Sequence, residues 1–89
     1  MTVGQRIAFL RSRNSMTQRE LARRLSLSPS AVGMYEQGRR QPSGELIVAL
    51  SKVFSVSADY LLTGEPYTRK DFQADLHMLF AAQEASAAK

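Results

Sequence analysis

The sequence predicts an all-α fold of five short helices followed by a sixth. Three observations carry that prediction. Hydroxyl residues stand just ahead of apolar runs at Thr2, Thr17, Ser28, Ser43 and Ser57, where a helix N-cap is expected. Within those runs the apolar residues recur at helical spacing. No strand-like alternation, internal repeat or long linker interrupts them. Eighty-nine residues allow one small domain with a modest core.

Helix one spans Gly4 to Arg13. Thr2 and Gln5 form a capping box at its start, Ile7 and Leu10 face inward with Val3 near the cap, and Asn14-Ser15 ends it. Thr17 caps helix two, with Glu20 at N3 as a second capping box. Leu21, Ala22 and Leu25 make its apolar face, while Arg19, Arg23 and Arg24 lie elsewhere. Ser26-Leu27 is a turn. Ser28 as N-cap and Pro29 at N1 restart the chain as helix three, from about Pro29 to Glu36. Ala31, Val32 and Tyr35 form its inward face, and Gly38 terminates it. Arg39 to Pro42 is a loop. Ser43 caps helix four, which carries Leu46, Ile47, Leu50, Val53 and Phe54. Ser57 caps a short helix five ending near Leu62. Thr63-Gly64-Glu65-Pro66 breaks the pattern and divides residues 1–64 from 65–89. Thr68, with Asp71 three residues on, starts a sixth helix to about Ala85.

Composition narrows the function classes. There is no cysteine, hence no disulfide framework or thiolate chemistry. No run approaches the roughly 20 apolar residues of a membrane span. Ile7 to Leu10 is too short for a signal-peptide core and is followed at once by arginine. These features fit a cytoplasmic protein with no membrane partner. His77 is the only histidine and has no constellation of ligands around it, so it reads as a helix-surface residue and no metal is expected. No nucleophile–base pair or glycine-rich phosphate loop is visible, so neither enzymatic activity nor a cofactor is expected.

Charge is divided unevenly. Residues 1–42 hold eight arginines against Glu20 and Glu36, a balance of +6, whereas residues 43–89 balance at −2. A basic half beside a mildly acidic one points to a single polyanion-binding face. Arginine suits bidentate contact with phosphate or guanine. Within this half, Thr17 to Gly38 reads as two helices joined by a tight turn. The outward face of the second is uncharged: Pro29, Ser30, Gly33 and Met34. An uncharged helix face between basic neighbours suits entry into a DNA major groove, with the arginines meeting phosphates.

The ordered motifs agree. Gly4-x-Arg6-Ile7-x-x-Leu10-Arg11, Met16-Thr17-Gln18-x-Glu20-Leu21-Ala22 and Tyr35-Glu36-x-Gly38-Arg39-Arg40-x-Pro42-Ser43 appear in sequence, followed by Leu46 to Leu50 and Val56-Ser57-x-Asp59-Tyr60-Leu61-Leu62. At these spacings, residues 3–64 resemble the phage-repressor superfamily of helix-turn-helix proteins (Cro/cI-like, also called XRE-like). The resemblance implies a lambda-repressor-like five-helix domain that binds double-stranded DNA as a transcriptional regulator, most simply a dimeric repressor. It also implies roles. Gln18 contacts a phosphate and braces the recognition helix. Ser30, Gly33 and Met34 occupy base-reading positions, with Pro29 at the tip. Thr17, Ser28 and Gln37 complete the DNA face, and Arg39 and Arg40 clamp phosphates. Arg11 and Glu36 occupy the positions of an ion pair between helix one and the end of helix three. Tyr35 and Tyr60 read as packing residues. Ser15, Ser26 and Ser55 depart from the family, which often has glycine there. If those turns need positive φ, each serine adopts it at a cost of about 1 kcal/mol; alternatively the turns close through side-chain hydrogen bonds.

Beyond residue 66 the resemblance ends. Phe72, Leu76, Leu79 and Phe80 recur as one stripe of an amphipathic helix. That stripe either packs back on helices one and five, joins two copies as a homodimer, or docks a separate protein partner. The last option leaves open an antitoxin-like or adaptor protein with secondary DNA binding.

Overall fold

A computed structural model describes residues 1–65; the sixth helix and its stripe of Phe72, Leu76, Leu79 and Phe80 lie outside the described residues, as does His77. Five helices are present among the described residues: α1 (Val3–Arg13), α2 (Gln18–Leu25), α3 (Pro29–Glu36), α4 (Gly44–Phe54) and α5 (Ala58–Thr63). No strand occurs among the described residues. No helix there is long and apolar enough to cross a membrane.

Each helix begins in the same way. The hydroxyl oxygens of Thr2, Thr17, Ser28 and Ser43 each accept the N–H three residues on, at 3.1 Å. Ser57 accepts the Tyr60 N–H at 3.0 Å. Each such cap contributes about 1 kcal/mol to its helix. Among the described residues the full capping box forms only at Thr2, whose N–H donates to the Gln5 carboxamide oxygen at 2.9 Å. The second box expected at Thr17 is half made. Glu20 supplies its backbone N–H, but its side chain is exposed and returns no bond.

Helix termination explains the serines. Ser15, Ser26 and Ser55 all have positive φ, at 56°, 56° and 54°. After each, the next N–H reaches back five residues: Met16 to Arg11 O (3.0 Å), Leu27 to Ala22 O (2.8 Å) and Val56 to Ser51 O (3.0 Å). Gly38, at φ 76°, is followed by the same bond from Arg39 to Met34 O. This six-to-one closure satisfies an orphan carbonyl at the helix end. Met16, Leu27 and Val56 then pack against the core. Their partial burial holds each serine in a conformation that glycine adopts freely.

The core gathers Ile7 and Leu10 of α1, Leu21 and Ala22 of α2, Val32 and Tyr35 of α3, Ile47, Leu50 and Phe54 of α4, and Leu61 of α5. α1 packs on α3 and α5, α2 on α3 and α4, and α4 on α5. The approach of α1 to α3 is close. A Cβ on Gly4 would overlap the Tyr35 carbonyl oxygen and stand 2.7 Å from that of Glu36. Both are backbone atoms at the end of α3 and cannot yield. Gly4 therefore sets how α3 sits against α1.

Arg6 departs from the sequence reading. Counted with the basic half, it is only 5% exposed. Its Nη2 donates to the Met1 carbonyl at 3.3 Å, and the guanidinium lies so close to Gly64 that a Cβ there would stand 2.6 Å from Nη2. The end of α5 thus covers Arg6 and removes it from the charged surface.

The left-handed serines yield a stability prediction. Ser15→Gly, Ser26→Gly and Ser55→Gly are each expected to stabilise the domain by up to about 1 kcal/mol, because strain at positive φ outweighs the added freedom of the unfolded chain. Thermal unfolding of the three variants checks this. A lowered midpoint in all three would show that the serines carry no strain.

Candidate nucleic-acid interface

α2, the Ser26-Leu27 turn and α3 form the helix-turn-helix. Pro29, Ser30, Met34 and Gln37 are exposed along α3, with Met34 40% accessible. Together with Gln18 and Gly33 they line one open depression of about 390 Å³. Six side chains or backbones singled out in the sequence therefore meet on one surface. Thr17 and Ser28 lie at the N-termini of α2 and α3, but their hydroxyl oxygens are already engaged as caps. What those two ends have to offer an anion is backbone N–H.

One carboxylate organises this surface. Glu36 Oε2 accepts from Arg11 Nε at 2.6 Å, and Oε1 accepts from Arg11 Nη2 at 3.1 Å. Oε1 also accepts from Gln18 Nε2 at 2.9 Å. Arg11 Nη1 donates onward to the Met16 carbonyl at 2.9 Å, at the start of the α2 cap. The end of α3 is thus tied to the middle of α1 and the first turn of α2. The hydrogen bond that Arg11 donates to Glu36 raises the Arg11 pKa; burial opposes the rise and the Glu36 charge adds to it. Only 7% of the Glu36 side chain is accessible, so its negative charge is both buried and neutralised beside the exposed face.

Gln18 corrects the reading of Gly33 as an open, outward residue. Glu36 lies three residues beyond Gly33, on the same side of α3. To reach Glu36, the Gln18 carboxamide crosses Gly33 and covers it, so Gly33 is buried although its backbone still lines the depression. A Cβ at Gly33 would stand 3.8 Å from both Gln18 amide atoms, which is ordinary contact. Sequence spacing could not reveal this cover, because it depends on a residue in another helix.

The arginines of the basic half divide into three kinds. Arg6 is buried and Arg11 is paired. Arg13, Arg19, Arg23, Arg24, Arg39 and Arg40 are exposed. Arg40 is also positioned, its guanidinium carbon 5.5 Å from the centroid of the Tyr35 ring. It borders a second depression of about 330 Å³ that includes Thr2, Gly38 and Gln41. Sequence reasoning missed this hollow between the start of α1 and the loop after α3. The glycine at position 4, which lets those two segments approach, was its one available signal.

Breaking the ion pair from one side should be costly. Arg11→Met leaves the buried Glu36 charge with only Gln18 and is expected to destabilise the domain by about 3 kcal/mol. Adding Glu36→Met should recover part of that loss, because no buried charge is then left unpaired. Urea unfolding of both variants measures the difference. Equal stability of Arg11→Met and the wild type would show that the pair does not hold α3.

Comparison with known proteins places this geometry. The helix-turn-helix family matches residues 7–61. The HTH-type transcriptional regulator DicA of Escherichia coli (strain K12) is 38% identical over 65 residues, 73% of this chain and 48% of DicA. Repressor protein C2 of Salmonella phage P22 is 35% identical over 63 residues, 71% of this chain and 29% of C2. The chain thus spans about half the length of one relative and less of the other. The crystal structure of the P22 c2 repressor in complex with a synthetic operator aligns with a TM-score of 0.69 at 34% identity, covering 73% of this chain and 98% of that one. In motif order, helix arrangement and match to a solved repressor domain, this chain belongs to the helix-turn-helix family, among its Cro/cI-like (XRE-like) members.

Proposed function

We propose that this protein is a sequence-specific, double-stranded-DNA-binding transcriptional repressor that occupies its operator as a homodimer in the cytoplasm. The observation that carries the proposal is the gathering of Gln18, Pro29, Ser30, Gly33, Met34 and Gln37 around one uncharged depression. α3 would enter the major groove. The free N–H groups at the start of α2, with the Gln18 carboxamide, would meet a phosphate. Arg39 and Arg40 would clamp the backbone beyond the end of α3. Ser30 can donate to or accept from base edges, whereas Met34 offers apolar contact. This face has no arginine–guanine fork, so DNA shape would supply part of the selectivity. The match to a repressor bound to an operator, together with relatives named as transcriptional regulators, supports the same reading.

Phosphate clamping is tested by salt. Arg39→Ala combined with Arg40→Ala should weaken binding to every duplex and lower the log–log salt slope by about two. Fluorescence anisotropy over a salt series measures it. An unchanged slope would remove the loop from the interface.

The dimer rests on sequence. Two domains on a two-fold operator need recognition helices about 34–36 Å apart. The stripe of Phe72, Leu76, Leu79 and Phe80, outside the described residues, is the proposed link between copies. Phe72→Asp with Leu79→Asp is expected to leave a folded monomer that has lost cooperative operator binding, read by sedimentation and DNA titration. Unfolding of the variant would instead assign the stripe to the core of one copy.

A further inference from the structure

Away from the recognition helix, α1 and α5 leave an open groove of about 520 Å³ between them. Phe9 and Leu10 of α1, Phe54 and Val56 around the turn after α4, and Tyr60 of α5 line it with apolar surface. Phe9 takes no part in the hydrophobic core and is 41% exposed, although Leu10 beside it is buried. Arg13, one turn further along α1, stands exposed at the rim. An apolar groove with a phenylalanine left in water is the kind of patch that marks an interaction surface.

The chain contains a matching element. Residues 66–89 follow the described domain and hold the stripe of Phe72, Leu76, Leu79 and Phe80. Asp71 and Asp75 each stand one position before a stripe residue, so at helical spacing they share one flank of it. Their charge complements Arg13 at the rim of the groove. The direction of α5 bears on whose groove the stripe enters. Ser57 and Tyr60, early in the α5 segment, line the groove, whereas Gly64 at its end lies against Arg6. Arg6 precedes Arg13 by about 10 Å along α1. α5 therefore carries the chain away from its own groove. To return there, it would have to reverse within the eight residues from Gly64 to Phe72.

We infer that two copies exchange their C-terminal segments, the stripe of each lying in the α1–α5 groove of the other. The inference rests on the proposal that the stripe links two copies, and adds the surface that receives it. Exchange is self-complementary under a two-fold axis, because each copy offers one stripe and one groove. Stripe packed on stripe would leave both grooves, and Phe9, in water. Exchange covers all of them.

The test uses the full chain, which has no cysteine, so introduced thiols are the only ones present. Chains carrying Phe9→Cys and chains carrying Leu76→Cys are mixed and oxidised mildly. Mass spectrometry should find a disulfide joining one chain of each kind. A chain carrying both substitutions should form covalent dimers. Separately, Phe9→Asp should weaken self-association at least about tenfold in sedimentation, with the thermal midpoint unchanged because Phe9 lies outside the core. Bonds between two Leu76→Cys chains only would overturn the inference in favour of stripe on stripe. A bond closed within the doubly substituted chain would overturn it by placing the stripe in its own groove. Undiminished dimerisation of a folded Phe9→Asp would also overturn it, and if that variant unfolds the disulfides decide. A wild-type chain that stays monomeric at all concentrations would overturn the homodimer proposal and this inference together.

Discussion

The Glu36 carboxylate stands where α1, α2 and α3 meet, and the orientation of the recognition helix is decided there. Arg11 holds it in a two-pronged contact, and Gln18 shares one of its oxygens. The pair does not add stability simply by being charged. Desolvating two ions offsets much of their attraction. Its consequence is geometric. A guanidinium fork accepts a carboxylate in few orientations, so the end of α3 has little freedom to rotate. Gln18 then lies across α3, and the surface available to a partner is shaped by a side chain from the preceding helix.

The backbone supports that arrangement from the other side. Gly4 lets α1 come within contact of the last carbonyls of α3. Met16, Leu27 and Val56 anchor the chain just after each left-handed serine. The turns are consequently short and firmly placed, and α2 and α3 keep one relative angle. Each serine costs some stability for this. The bonds that follow and the partly buried side chains offset that cost.

Charge is distributed by the same logic. Arg11 neutralises Glu36, so no buried anion stands unpaired beneath the exposed face. Arg6 is withdrawn beneath the end of α5, where the helix carbonyls carry partial negative charge. The remaining arginines of the basic half stay in solvent. Formal charge therefore overstates what a polyanion meets. The face itself is uncharged at its centre.

Much of this was legible in the chain. The five N-caps, the break at Gly64 and the inward apolar faces were all readable because each is settled within about five residues. A cap closes over three residues and a helix end over five. The family resemblance extended that reach by supplying the Arg11 and Glu36 partnership across 25 positions. Tertiary structure alone decided the rest. Arg6 is buried because α5 ends over it, 58 residues later in the chain. Gly33 is covered because Gln18 must cross it to reach Glu36. Arg40 is held over Tyr35 by the turn at Gly38. Local sequence determines where helices begin and stop, since those bonds close nearby. Which side of each helix meets solvent, and which arginines remain free, depends on surfaces brought together from distant parts of the chain.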